Sequence, residues 1–285
     1  MSLTPRLSAL LLPLLFATPA LAQDNASDGV VTTQEAEGDR VLIGVGAGYT
    51  PSYEGSDSYV LVPVPVAQGR ISGFAFTLRG ARLYVDMVPD DGGPGWDYQL
   101  GPAVSINLNR TSQIKDRQVE ALGELDPAIE VGGFVGLGRT GLITSEYDKL
   151  TVSVTYLRDV AGVHDSHVII PSIDYGTPLS TKAFVGIGFS AEYVGEGYAD
   201  TYYSVTPAGR LASGLPVFDA DAGWKSYTVS ALANHSITGD LTGGLSLIAS
   251  GSYRRMLEDS ARSPIVSVAG SKDQWFGMLG LAYTF

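Results

Sequence analysis

Two of the chain's three histidines bracket an aspartate and a serine, in His164-Asp-Ser-His167. Such a group could hold a metal, or pair a serine nucleophile with a base. The i, i+3 spacing suits one face of a helix, but the flanking sequence alternates as a strand does, and no third ligand cluster accompanies it. A lipid hydrolase working at a membrane surface would need Ser and His side by side on strands, with an Asn or acid behind them. His167 is at a suitable height, yet Ser166 points to the other face, and His235 falls at the opposite end of its own strand. No catalytic, cofactor-binding or metal-ligating residue is assigned, and the chain is expected not to be an enzyme. The glycine-rich runs Gly44–Gly48 and Gly132–Gly138 open no helix and sit in no βαβ unit, so they are not nucleotide loops. Asp90-Asp-Gly-Gly93 has the composition of a turn.

The ends bound the compartment. Met1–Ala22 has one basic residue, Arg6, an apolar run from Leu7 to Phe16, and Ala20-Leu-Ala22 as a cleavage site. This predicts a secretory signal peptide cut after Ala22, because the apolar run is too short for a membrane helix. Residues 23–39 are polar and unpatterned, and are expected to form a flexible periplasmic tail. The chain has no cysteine, which removes disulfides and thiolate metal sites. The net charge of −12 includes no basic stripe, which excludes nucleic acid as a partner.

From Val41 onward, apolar residues alternate with glycine, serine and threonine at period two. Strands are predicted near 40–49, 58–68, 70–78, 81–88, 95–108, 127–137, 147–159, 166–176, 181–194, 224–236, 240–254 and 274–285. Twelve is an even number, as a single-chain membrane barrel requires, with ten as the alternative if the 70–88 hairpin fails. A soluble barrel turns its apolar face inward; a transmembrane barrel turns it toward lipid. Aromatic residues choose between them. Trp275, Tyr283 and Phe285 share a face on the last strand. From Trp275 to Phe285 is about 33 Å along the strand, or roughly 25 Å of depth at a tilt of about 40°, the height of an outer-membrane apolar band. The prediction is an all-β, antiparallel up-and-down barrel over 40–285. Both termini are periplasmic, Trp275, Tyr283 and Phe285 form the girdle, and Asp97, Glu130 and Glu192 line the lumen. Its partners are outer-membrane lipid and lipopolysaccharide. The terminal Phe285 resembles the signal read by the β-barrel assembly machinery. The lumen, which Phe134 or an inward loop could plug, also allows a porin-like channel for small polar or cationic solutes.

The stretch Tyr59–Gln68 sets a problem, since Pro63 and Pro65 interrupt an alternating valine run. Both remove donors on the same side of the strand. The expectation is valines toward lipid, prolines toward a wet lumen, and a loosened seam on one side. Pro102 and Pro171 predict imperfect ladders elsewhere.

Gly46-Ala-Gly-Tyr-Thr-Pro-Ser-Tyr-Glu-Gly-Ser-Asp57 followed by Val62-Pro-Val-Pro65 resembles the opening of the MipA/OmpV family of outer-membrane proteins. Tyr53, Gly55, Ser56, Asp57, Pro63 and Pro65 carry that likeness. Ser213-Gly214-Leu215, and Ser263-Pro264 within Leu257–Val266, resemble later signatures of the family. The resemblance implies an outer-membrane β-barrel of a Gram-negative bacterium. It further implies a role in cell-envelope organisation, as a peptidoglycan scaffold joining a murein transglycosylase to a murein synthase. It brings no agreed catalytic or binding residues.

Overall fold

The computed structural model describes residues 39–89 and 94–285. The expected signal peptide, nearly all of the tail and the Asp90–Gly93 turn lie outside the described residues. Twelve strands appear in the order β1 (Arg40–Pro51), β2 (Tyr59–Ile71), β3 (Phe74–Arg79), β4 (Arg82–Asp86), β5 (Gly95–Asn107), β6 (Ala128–Thr140), β7 (Lys149–Asp159), β8 (His167–Pro178), β9 (Ala183–Val194), β10 (Gly223–Ser236), β11 (Gly244–Met256) and β12 (Asp273–Thr284). Each pairs antiparallel with its sequence neighbours, and β12 returns to β1 from Leu42↔Thr284 to Tyr49↔Gly277, closing the barrel. The ten-strand alternative is set aside.

Two local expectations change. β2 continues to Ile71, beyond the expected end near 68, so the first turn at the terminus end is Ser72-Gly73, both residues at positive φ. Five short helices also stand in connections at the end away from the termini: α1 (Arg117–Glu120), α2 (Glu196–Tyr203), α3 (Pro207–Ser213), α4 (Glu258–Arg262) and α5 (Pro264–Ser267). None exceeds eight residues, too few for a 3.6-residue period to register in sequence.

The wall is inverted relative to a soluble protein. Val45, Leu100, Val135, Ile187 and Leu279 are exposed on the outer face, while Ser105, Thr155, Ser226, Thr228 and Ser246 are buried inside. Apolar side chains standing out from a closed cylinder of paired strands are at equilibrium only in lipid, so this is a membrane-spanning barrel. Outer-face aromatics form a belt at the far end, stepping from strand to strand through Tyr156, His167, Tyr193 and Trp224, and through Tyr227, Tyr253 and Trp275. Tyr283 and Phe285, with ring centroids 4.8 Å apart, stand on the outer face at the other end.

β2 departs from this rule, and the valine expectation is corrected. Val60, Val62 and Val64 point inward and are buried, whereas Leu61, Pro63 and Pro65 face out. The valines join Leu42, Ile248, Phe276, Met278 and Ala282 in an apolar cluster inside the barrel. Gly48 makes room for it, since a Cβ there would lie 2.6 Å from Val64 Cγ2.

The seam is present. The β2–β3 ladder runs only from Ala67↔Leu78 to Ile71↔Phe74, and β3 ends at Arg79, one register step beyond, opposite Val66. Residues 59–65 therefore have β1 on one side and no described strand on the other. The β1–β2 ladder is unbroken from Arg40↔Arg70 to Pro51↔Tyr59, so the proline nitrogens must face the open side. Pro102 and Pro171 obey the same rule. The β4–β5 ladder stops at Tyr84↔Ala103, just before Pro102, and Asp86 Oδ1 accepts from Leu100 N–H beyond the break. The β8–β9 ladder skips from Ile169↔Tyr193 to Ser172↔Ser190 around Pro171. Each proline, having no N–H to donate, stands where its ladder stops or skips.

An unsatisfied N–H in lipid costs about 1–3 kcal/mol. The Pro63→Ala/Pro65→Ala variant restores two such donors and is expected to lose about 2–6 kcal/mol of stability. Urea titration followed by heat-modifiable gel mobility measures this; a gain in stability would mean that the edge is paired.

Candidate functional site at the lidded mouth

The connections at the far end fold together into a lid. Tyr53 is its centre: its hydroxyl donates to Ala269 O at 2.7 Å, and its ring is buried among Val119, Val205, Leu215, Ile265 and Ala269. Gly55 has φ +94°, a conformation that favours glycine, and a Cβ there would lie 2.3 Å from Val266. Its N–H donates to Gln274 Oε1 at 3.1 Å and its carbonyl accepts from Ser271 N–H at 2.7 Å. Ser56 Oγ and Ser52 Oγ are 3.0 Å apart inside the same loop, with Asp57 exposed beside them.

The later motif segments converge on this loop. Gly214 closes α3 in the left-handed conformation at φ 77°, Leu215 enters the apolar cluster, and Ser213 O accepts from Gln118 Nε2 of α1 at 3.1 Å. Ser263 accepts from Ile265 N–H, capping α5 ahead of Pro264, and its Oγ donates to Tyr203 O at 2.6 Å. Motif pieces 160 to 210 residues apart in sequence thus form one structure.

Under the lid lies a buried charge cluster. Glu54 Oε1 accepts from Lys225 Nζ at 2.8 Å and Arg254 Nη1 at 3.0 Å. Glu54 Oε2 accepts from the hydroxyls of Tyr203 at 2.8 Å and Tyr198 at 3.2 Å. Lys225 Nζ is also 2.6 Å from Glu192 Oε2, and Glu192 Oε1 is 2.7 Å from Arg82 Nη2. All five charged side chains are almost wholly buried. Burial pushes the Glu54 carboxyl up, but Lys225 and Arg254 outweigh it and hold the group below the usual range. Burial and the charge of Glu54 raise the Tyr203 phenol well above its ordinary value. With both oxygens of Glu54 already accepting, the carboxylate acts as a tie between loop and wall, not as a base awaiting a substrate.

Asp97, Glu130 and Glu192 have their side chains inside the wall, each beside a cationic or ionisable partner. Asp97 is 2.7 Å from Lys149 Nζ, and Glu130 is 3.3 Å from His164 Nε2. Phe134 is buried inside too, edge-on to Tyr84. Trp275 is exposed in the far belt. His164 and His167 do not converge: His164 packs inside against Tyr198, whereas His167 stacks in the outer belt between Tyr156 and Tyr193. Among the described residues no cluster of three or more His, Asp or Glu is placed to hold a metal. Glu54 lies within the opening family-like motif, and the Tyr202-Tyr203 pair precedes the one at Ser213–Leu215, but no role followed for them from sequence, and Arg82, Lys225, Arg254 and Tyr198 carried no motif signature. For Arg254 the available signal was phase, since it shares the inward face of β11 with Ser246, Ser250 and Ser252, whereas Lys225 sits at a register shift beside Ser226, where alternation points it outward.

Residues 43–285 match the family model described as MltA-interacting protein MipA. The chain belongs to the MipA family. The match covers every strand except Arg40–Leu42 at the start of β1, and it includes all the motif segments that build the lid. No curated protein matches the sequence significantly. Among solved structures, the chain is similar to the Pseudomonas putida toluene transporter TodX, at 9% identity and TM-score 0.36, covering 93% of this chain and 94% of that one. It is also similar to the CymD monoaromatic hydrocarbon channel, at 11% identity and TM-score 0.37, covering 88% and 89%. For OprD from Pseudomonas aeruginosa the values are 9%, 0.30, 94% and 97%.

Removing one partner of a buried ion cluster costs about 3–5 kcal/mol, because the remaining charges stay buried. Glu54→Gln is expected to loosen the lid, and limited trypsin digestion at exposed Arg210 reads this as faster cleavage. Because the folded-state pKa of Glu54 is depressed, its contribution is complete above the unfolded carboxylate range and is lost as pH falls through the folded value. Opening of the wild-type lid, read in acid by pepsin digestion, should therefore accelerate below that range, and Glu54→Gln should show a weaker limb.

Proposed function

We propose that this MipA-family barrel is a non-enzymatic protein of the outer membrane whose terminus end faces the periplasm. There it organises cell-envelope enzymes, a murein transglycosylase and a murein synthase being the partner class. The observation that carries this reading is the lid. The far mouth is filled by five helices and closed by a buried ion cluster, which argues against free passage of solute. In this reading the contacts with protein partners lie on the turns at the terminus end and on the segment 23–39. The family's description names an interaction with MltA, which supports a protein partner. Lipid and lipopolysaccharide surround the barrel in this reading, and the assembly machinery inserts it from the periplasmic side through Phe285.

Deleting Gln23–Asp39 and repeating a pull-down from periplasmic extract tests the tail. Recovery of murein enzymes should fall to background; recovery unchanged in this variant would count against the tail, and a wild-type pull-down that recovers no murein enzyme would reject the scaffold. The porin-like reading rests on the polar inner face. Planar-bilayer recordings should be silent for the wild type and should show steps for Glu54→Gln, whereas wild-type steps would favour the channel.

A further inference from the structure

The open edge of β2 leads somewhere. A cavity of about 40 Å³ lies inside the wall where the β2–β3 ladder ends. Val66 and Arg79, the last register neighbours, line it on one side, and Leu232, Ile248 and Met278 face them from β10, β11 and β12. At about 10–15 Å³ of such volume per water-sized group, it has room for roughly three methylenes. Its far wall continues into the apolar cluster of Val62, Val64 and Phe276.

The seam has a depth. It starts at Tyr59, which stacks on Tyr49 at 5.0 Å in the far aromatic belt, and ends near Pro65, the midpoint of the thirteen-residue β2. Six steps are about 20 Å along the strand, or roughly 15 Å of depth at a tilt of about 40°, half of the apolar band. The cavity therefore lies near the bilayer midplane, where acyl chains end.

The edge also has a chemistry. Strand addition by another protein would use the N–H groups along this side, and Pro63 and Pro65 have none. Leu61, Pro63 and Pro65 instead present an apolar outer surface. An occupant without hydrogen-bonding groups loses nothing by lying there.

We propose that the open edge of β2 beyond the tip of the β3–β4 hairpin admits an alkyl chain, from a membrane phospholipid or a free fatty acid, whose terminal carbons lodge in this cavity. The inference is independent of the murein-scaffold reading, since it concerns the lipid-facing wall and not the terminus end.

The test is photolabelling of the full-length mature protein in detergent micelles, followed by peptide mass spectrometry. One arm uses palmitic acid with a diazirine near the chain terminus, and the other uses phosphatidylethanolamine carrying the same acyl chain. Adducts on the inward residues Ile248 and Met278 are expected in at least one arm. The phospholipid arm alone would identify a bilayer lipid, and the fatty-acid arm alone a free acid. Ser250→Leu, which fills the cavity, should lower inward labelling about tenfold while labelling of outward Leu61 persists. Heat-modifiable mobility checks that the variant is folded. If it is not, excess unlabelled palmitate or phosphatidylethanolamine should compete away the wild-type inward adducts and spare those at Leu61. Adducts confined to outward residues, or inward adducts that neither filling nor competition reduces, would overturn the proposal.

Discussion

Lipid supplies no hydrogen bonds, and this single constraint organises the wall. Every amide in the apolar band must find its acceptor on a neighbouring strand, which forces closure of β12 onto β1 and leaves little latitude in register. The four strand prolines are read most simply in that light. Pro63, Pro65, Pro102 and Pro171 each occupy a place where the ladder stops or skips. A residue that harms an ordinary sheet costs least here, because it adds no donor where the ladder is interrupted. The short β3–β4 hairpin creates the largest gap, and the proline pair makes that gap tolerable.

The interior solves a different problem at each height. Toward the far mouth, Glu54, Glu192, Arg82, Lys225 and Arg254 neutralise one another away from water, and tyrosine hydroxyls complete the bonds of Glu54. Beside β2, valines and Met278 replace polar groups, and the lumen becomes locally oily. Polar pairs such as Asp97–Lys149 and Asp174–Arg79 occupy other parts of the bore. The cavity is thus neither a uniform aqueous tube nor a conventional hydrophobic core.

Strand number, order and the inverted polarity were legible from alternation, terminal aromatics and the even count. Those signals repeat every second residue over ten or more positions, which averages out local exceptions. The valine run of β2 was misread because alternation states which residues share a face but not which face is outward. The neighbouring glycine at position 48, which makes the inner side roomy, settles that only in three dimensions. The lid was illegible for a related reason. Its helices are short, and its contacts join loops far apart in the chain, so no local period announces them. The motif residues Tyr53, Ser213 and Ser263 were visible as a family likeness, while their meeting in one packed cap was not.

The span of those lid contacts bears on how the molecule is made. Glu54 follows the first strand and Arg254 lies in the eleventh, and Gly55 bonds to Gln274 in the twelfth. The cap cannot assemble while the nascent chain is still an open sheet; it must await the arrival of the final hairpin. Completion of the cap is accordingly coupled to completion of the cylinder, so a half-inserted intermediate would carry loose, charged loops at its leading rim until the last strand seats.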